Sequence, residues 1–378
     1  MISESCKICG GCPLRSMDET EYREYKTADF VRTTERIKQS VSKIDTPIFV
    51  ADGNRRRADM KFRFQKGKLT FGFNEEESHN LVDIHTCPML TPMLNSFIPH
   101  MRNFLAEFCQ IKYTVKNKKK LENKSIREGG VKFLQADNGI DILLSFADNP
   151  DLEHRLLVAD FVNAETDVVR LSWKVGTQPP ETIVEKTPPL LYIADYTIAV
   201  PQGSFLQASK SSETAMITKV LEYIGDTTGK IADLFCGLGT FTYPLAQKNQ
   251  NEILSVDSYE PSLHGLRQAL NQNQIHNVKI LNRNLFKYPL DADELAGIKV
   301  LVMDPPRAGA HEQCRAVSEL PPSVKPEKII FVSCNPKTFV YDADLLISSN
   351  YTLENITLID QFVYSKHQEL IALFTLNR

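Results

Sequence analysis

Cys334 is the residue with the most chemistry to offer. It stands in Ser333-Cys334-Asn335-Pro336-Lys337-Thr338, directly after the run Lys328-Ile329-Ile330-Phe331-Val332. That run is short, apolar and rich in β-branched residues, so it reads as a strand buried on both faces. Asn335 suits a helix N-cap and Pro336 the first helical position, where a missing N–H matters least. A thiol at the mouth of that helix faces the positive end of the dipole, which predicts a lowered pKa and a reactive thiolate. Free cysteines are as often small buried hydrophobes. Position alone leaves both roles open.

Three more cysteines fall at C-x2-C-x2-C, in Cys6-Lys7-Ile8-Cys9-Gly10-Gly11-Cys12-Pro13. Tight spacing with two glycines lets three thiolates converge on one metal face, close to an iron–sulfur run. Cys87, also followed by proline, is the candidate fourth ligand. Zinc competes, since a tetrahedral S4 set suits either metal.

A second group of residues lies at the ends of strand-like runs. Ile231-Ala232-Asp233-Leu234-Phe235 leads into Cys236-Gly237-Leu238-Gly239-Thr240, with Thr242 where a dinucleotide fingerprint has its third glycine. The next strand, 252–257, ends in Asp257, whose carboxylate can accept both ribose hydroxyls of an adenosine. A methyl-donor nucleoside needs no phosphate cradle, so the missing glycine favours S-adenosylmethionine over NAD. A strand at 299–303 ends in Asp304-Pro305-Pro306-Arg307, whose rigid prolines would hold Asp304 at a pocket floor. Cys334 follows on the next strand, and this pairing suggests a reaction. Carbon 5 of uracil is a poor nucleophile until a thiolate adds to carbon 6. The C5 proton must then leave, and Glu369 in His367-Gln368-Glu369, opening the apolar run 370–376, is the candidate base.

The elements that must carry these residues divide the chain in two. From about 200 onward, strand and helix signals alternate, including helices from about 241 and near 261–273 and a strand near 278–281. This predicts a doubly wound, mostly parallel sheet with ligands beyond the strands' carboxyl ends. Between about 130 and 200, apolar stretches at 140–146, 155–161 and 168–173 suggest an antiparallel sheet. Residues 18–43 read as a surface helix with Tyr22, Tyr25, Phe30, Val31, Ile37 and Val41 as its apolar positions. Arg55-Arg56-Arg57 leads into an alternating strand with Lys61 and Arg63 on one face and Met60, Phe62 and Phe64 on the other. Lys66, Lys68 and a turn at Phe71-Gly72-Phe73 follow. With Lys112, Lys116, Lys118, Lys119, Lys120 and Lys124, this strand suggests phosphate contacts. The 378 residues carry 44 basic and 47 acidic side chains, net −3, so any polyanion must be met by such local patches. Eight cysteines and a polar N-terminus argue for a reducing, cytoplasmic setting, and no apolar run approaches a membrane span.

Together these motifs resemble the RNA uridine-C5 methyltransferases, and within them the iron–sulfur-containing 23S ribosomal RNA uracil-5 methyltransferases. The resemblance runs nearly the whole length: the cysteine run with Cys87, Arg56-Arg57-Ala58, Ser204-Phe205-Leu206-Gln207, and the segments at 233–240, 304–307, 333–338 and 367–369. It implies a class I methyltransferase domain at 200–378 and a β-rich RNA-recognition domain at 1–14 and 48–199 carrying a [4Fe–4S] cluster on Cys6, Cys9, Cys12 and Cys87. It also implies that 15–47 packs on the catalytic domain. Carried over by position, Gln207, Phe235, Gly237, Thr240, Asp257, Asn284 and Asp304 would line the S-adenosylmethionine site, with Cys334 as nucleophile and Glu369 as base. Three departures stand out: the close Cys6–Cys9 spacing, Asp257 in place of the usual glutamate, and Asn284 in place of the usual aspartate. A start directly at the cysteines favours the short ribosomal-RNA subgroup, without the extra N-terminal RNA-binding barrel. Transfer RNA is the alternative substrate, a catalytically silent iron–sulfur RNA-binding protein the alternative role, and a monomer the expected state.

Overall fold

The structure is a computed structural model that describes residues 4–35, 37, 41–117, 120–248 and 251–377. The chain divides into two compact units: Met1–Arg15, Ala51–Leu191 and Ala199–Gly203 form one, and Ser16–Val50, Tyr192–Ile198 and Ser204–Arg378 the other.

The second unit is built on a mixed sheet. Its order is Val41–Ile44, Tyr351–Asp360, Glu369–Leu376, Lys328–Ser333, Ile298–Met303, Lys230–Leu234, Ile253–Asp257 and Val278–Asn282, with Ile48–Phe49 also beside Tyr351–Asp360. The last five strands run parallel to one another, as the alternating signals predict, while Glu369–Leu376 is antiparallel to both its neighbours. The central strands are mostly apolar because each face packs into a hydrophobic core. Strand order reverses between Lys230–Leu234 and Ile298–Met303, and that switch point leaves a crevice at the carboxyl ends. The expected surface helix is shorter than the 18–43 reading: it spans Glu19–Thr34, opened by an Asp18/Glu21 capping box. Val41 belongs instead to a strand parallel to Tyr351–Asp360, since a β-branched residue satisfies an open sheet edge better than a helix end.

The first unit is a seven-stranded sheet in the order Glu181–Glu185, Val168–Val175, Gly139–Phe146, Glu128–Ala136, Arg57–Gln65, Lys68–Asn74 and Leu81–Asp83. Arg57–Gln65 alternates as expected, with Met60, Phe62 and Phe64 inward and Lys61 and Arg63 outward. Two expectations are corrected. The 155–161 stretch is helical, inside Leu152–Ala164, whose Asp151/His154 capping box fixes its start. That helix is a crossover, so Val168–Val175 pairs parallel with Gly139–Phe146 in an otherwise antiparallel sheet. Phe71-Gly72-Phe73 is strand rather than turn. The reversal is the two-residue Lys66-Gly67 loop, both residues at positive φ, and a Cβ on Gly72 would sit 2.2 Å from the Val82 carbonyl. The helix Pro92–Phe108, capped by Thr91, packs seven apolar side chains into this unit's core and has no counterpart in the sequence reading.

Candidate active site

Cys334 follows the last residue of Lys328–Ser333, half-buried, at the start of the helix Pro336–Ser348. The surrounding motif residues build the bend. Asn335 Oδ1 accepts from the Lys337 N–H at 3.2 Å, and its Nδ2 donates to the Arg307 carbonyl at 2.9 Å. Thr338 Oγ1 donates to that same carbonyl at 3.3 Å, and the Ser333 hydroxyl accepts from the Asn335 N–H at 3.2 Å. The loop bearing Asp304 is thereby tied to the loop bearing the thiol.

The antiparallel register pairs Ser333 with Leu370, which sets Glu369 at the same sheet end as Cys334. Glu369 is 2% exposed and accepts from Gln361 Nε2. The Gln361 amide also donates to Gln207 Oε1 at 3.3 Å, and Gln207 Nε2 donates to Asp304 Oδ2 at 3.1 Å. Gln361 Oε1 accepts from the Ala208 N–H and the Ser212 hydroxyl, so its NH2 is committed to the other side. A chain of hydrogen-bonded side chains runs Asp304–Gln207–Gln361–Glu369. Gln361 belongs to no motif and has no sequence signal beyond its nearness to Glu369.

The expected lowering of the Cys334 pKa is overturned. Burial, then the charges of Glu369 and Asp304, push the thiol up to about 11, against a smaller opposing effect of Arg307. Desolvation and two carboxylates outweigh the helix dipole. Burial likewise lifts Asp233 to about 7, and burial plus the Asp233 charge holds Asp304 well above the carboxylate range. Asp233 is fully enclosed, with Oδ2 accepting from Thr242 Oγ1 at 2.6 Å. Thr242, at the missing-glycine position, thus holds the carboxylate under the loop.

Phe235 and Gly237 both take positive φ, 60° and 54°, forming the tight turn out of Lys230–Leu234. Asp257 Oδ2 accepts from the Gly237 N–H at 2.9 Å, and its Oδ1 from the Ser258 and Tyr259 N–H groups. The aspartate thus ties the glycine loop to the end of its own strand. Thr240 is half-buried on that loop. Asn284 is exposed and spends Oδ1 on the Phe286 N–H at 3.0 Å, an Asx turn that lifts Phe286 to 5.6 Å from the Phe235 ring. Phe286 is an aromatic wall absent from the sequence reading.

In the first unit Cys6, Cys9, Cys12 and Cys87 are half-buried and share one electrostatic neighbourhood. Burial raises Cys87, with Cys9 and Cys6 adding to it, and lifts Cys12 to about 12, with Cys87 and Cys9 adding. Gly10 lets the cysteine loop lie against the Glu75–Glu76 backbone, where a Cβ would sit 2.7 Å from Glu76. The donor set is all sulfur, which fits an iron–sulfur or zinc group. Among the described residues no three His, Cys, Asp or Glu side chains stand in metal-ligand geometry.

The basic strand divides. Arg56 is 3% exposed and so is not a surface phosphate contact, whereas Lys61, Arg63, Lys66 and Lys68 are exposed. An open recess of about 370 Å³ is lined by Arg63, Phe64, Gln65, Lys66, Arg127 and Glu128. Lys112 and Lys124 are exposed, and the side chains of Lys116, Lys118, Lys119 and Lys120 lie outside the described residues. Among the described residues no helix is long and apolar enough to cross a membrane.

The model of the tRNA (uracil-5-)-methyltransferase family matches residues 189–376. An uncharacterized RNA methyltransferase of Zymomonas mobilis is 32% identical over 97% of this chain and 87% of its own length. The 23S rRNA (uracil(1939)-C(5))-methyltransferase RlmD of Pectobacterium atrosepticum is 28% identical over 97% of this chain and 78% of its own length. The structure of Pyrococcus abyssi tRNA (uracil-54, C5)-methyltransferase with S-adenosyl-L-homocysteine covers 98% of this chain and 86% of its own, at 22% identity and a TM-score of 0.72. That likeness is one of fold.

Proposed function

The chain belongs to the RNA uracil-5-methyltransferase family, and on that premise we propose that it methylates carbon 5 of a uridine in 23S ribosomal RNA through a covalent cysteine adduct. The observation that carries the mechanism is the register that sets Glu369 beside Cys334, close enough for its charge to raise the thiol.

S-adenosylmethionine, when bound, supplies an electrophilic methyl group. Gln207, Phe235, Gly237, Thr240, Asp257, Asn284 and Asp304 would hold it, Asp257 already tied to the Gly237 N–H and Phe235 to the Phe286 ring. The Cys334 sulfur adds to C6 of the flipped uracil, and the C5=C6 pair moves toward the C4 carbonyl. Carbon 5 would take the methyl group as the methyl–sulfur bond breaks, its electron pair leaving with the donor's sulfur as a neutral thioether. Glu369 then removes the C5 proton, and the C6–S bond breaks to restore the double bond and free the thiolate. The raised thiol pKa fits this order: the nucleophile stays protonated until substrate and a cationic methyl donor offset the two carboxylates.

We assign RNA recognition to the first unit and its [4Fe–4S] cluster to Cys6, Cys9, Cys12 and Cys87, with zinc as the competing occupant; the all-sulfur donor set supports this. Anaerobically purified protein should absorb broadly near about 400 nm, the sulfur-to-iron region. Colourless, zinc-containing protein would decide for zinc. The reaction itself is tested with 5-fluorouridine transcripts of 23S ribosomal RNA and of transfer RNA. Fluorine at C5 cannot leave as a proton, so a Cys334-dependent shifted band on a denaturing gel marks the adduct. The RNA that gives it names the substrate class. No band with either RNA, from protein that binds both ligands, would refute the covalent route.

A further inference from the structure

The chain reaches Glu369 through residues 361–368, which hold no helix or strand. Peptide groups in such a segment need partners from elsewhere. One face of the helix Glu19–Thr34 provides them. Tyr22, Lys26 and Asp29 recur at i, i+4 and i+7, one stripe of a helix.

Tyr22 Oη donates to Asp360 Oδ2 and accepts from the Tyr364 N–H at 2.8 Å, while its ring lies 4.5 Å from that of Tyr364. Lys26 Nζ is wholly buried, pairs with Asp360 Oδ1 at 3.0 Å, and donates to the Ser365 carbonyl at 3.0 Å and the His367 carbonyl. Asp29 Oδ2 accepts from Gln368 Nε2 at 2.6 Å. The segment is gripped at Asp360, Tyr364, Ser365, His367 and Gln368, ending one residue before the base. A buried ion pair contributes little net stability compared with apolar packing, because both charges lose water. What the Lys26 ammonium offers over a leucine is direction: three donors aimed at two carbonyls and a carboxylate.

We propose that the Glu19–Thr34 helix is a positioning element for the base: Tyr22, Lys26 and Asp29 hold residues 360–368 so that Glu369 meets the C5 proton. This rests on the covalent route proposed above. Loosening the grip leaves thiol addition and methyl transfer intact and slows only proton removal, so a methylated cysteine–RNA adduct accumulates on ordinary uridine. A merely structural helix would lower activity in proportion to the folded fraction and trap nothing.

The experiment uses the full chain, S-adenosylmethionine and unfluorinated substrate RNA, with adduct read on denaturing gels and kcat and KM read separately. Lys26→Met should lower kcat tenfold or more, leave KM for S-adenosylmethionine within about twofold and give a shifted band. Asp29→Asn, a milder change at the accessible end, should give a weaker band, and it decides the matter should Lys26→Met not fold. Glu369→Gln is the reference trap. A band from Glu369→Gln with none from the folded Lys26 and Asp29 variants overturns the positioning role alone. No band from Glu369→Gln overturns the covalent route and this inference with it.

Discussion

Cys334 sits in a field set by two carboxylates, and that field makes predictions at the level of single charges. Glu369 is the larger of the two charge effects that raise the thiol. Removing it in Glu369→Gln lowers the Cys334 pKa, and each unit of fall multiplies the thiolate fraction about tenfold at a pH below both values. Alkylation of the Cys334 peptide by iodoacetamide, followed by mass spectrometry at pH 7.5, should therefore speed up in the variant (a condition about midway in the usual working range). Unchanged or slower alkylation would contradict the electrostatic assignment. Asp233 and Asp304 carry a second prediction. Both are raised above their ordinary 3.8, Asp233 to about 7, so the folded state holds protons that the unfolded chain has released. Stability from this source is complete below about pH 4 and is lost as pH rises through about 7. The melting temperature should fall across that window, and Asp233→Asn should flatten the fall. A cationic ligand favours ionised Asp304, so S-adenosylmethionine affinity should rise with pH over the same range, measurable by calorimetry.

At the scale of elements, the bend after Lys328–Ser333 shows how one side chain can serve both fold and site. Asn335 caps the Pro336–Ser348 helix and ties it to the Arg307 carbonyl. Asn335→Ala should cost about 1 kcal/mol of stability, the usual worth of an N-cap. Its loss of kcat should exceed that expected from the thermal shift, because the Asp304 loop loses the shorter of its two ties at the Arg307 carbonyl; equal losses would reduce the residue to a cap. This bend was legible in the sequence because a β-branched run, an Asn cap and an N1 proline all point to the same place. The glycine turn and the ends of the parallel strands were legible for the same reason. The 155–161 stretch was not: Leu156, Leu157, Val158 and Phe161 satisfy a strand as well as a helix over so few residues, and only the Asp151/His154 cap separates them. Gln361 was illegible for a different reason. Its role exists only after the Tyr351–Asp360 and Glu369–Leu376 strands pair and bring it between Gln207 and Glu369. The sign of the thiol shift also depended on neighbours that the fold supplies, since Glu369 lies 35 positions from Cys334 in sequence (369 − 334).

For the whole molecule, the near-neutral charge means that RNA affinity must rest on where cations are placed rather than on how many there are. The sequence marked Arg55–Arg57 as a unit, yet burial separates Arg56 from the exposed Lys61, Arg63, Lys66 and Lys68. Lys61 and Arg63 fall on the outward face of Arg57–Gln65, while Arg56, just before that strand, is buried, and a buried cation cannot reach a phosphate. Two outcomes follow for binding measured as a function of salt. Lys61→Ala, Arg63→Ala and Lys66→Ala together should weaken binding to all RNAs alike. The slope of log K against log salt should fall by about 0.7 for every single-stranded phosphate that these cations neutralise. Arg63 also pairs with Glu128 at 3.3 Å, so its share of that reduction should be the smallest. Arg56→Ala should lower the melting temperature, because it empties a buried site, while leaving the salt slope of the folded protein unchanged. A slope that fell for Arg56→Ala and held for the surface triple would place the RNA on the opposite face of this sheet and move the recognition surface away from the Arg63–Arg127 recess.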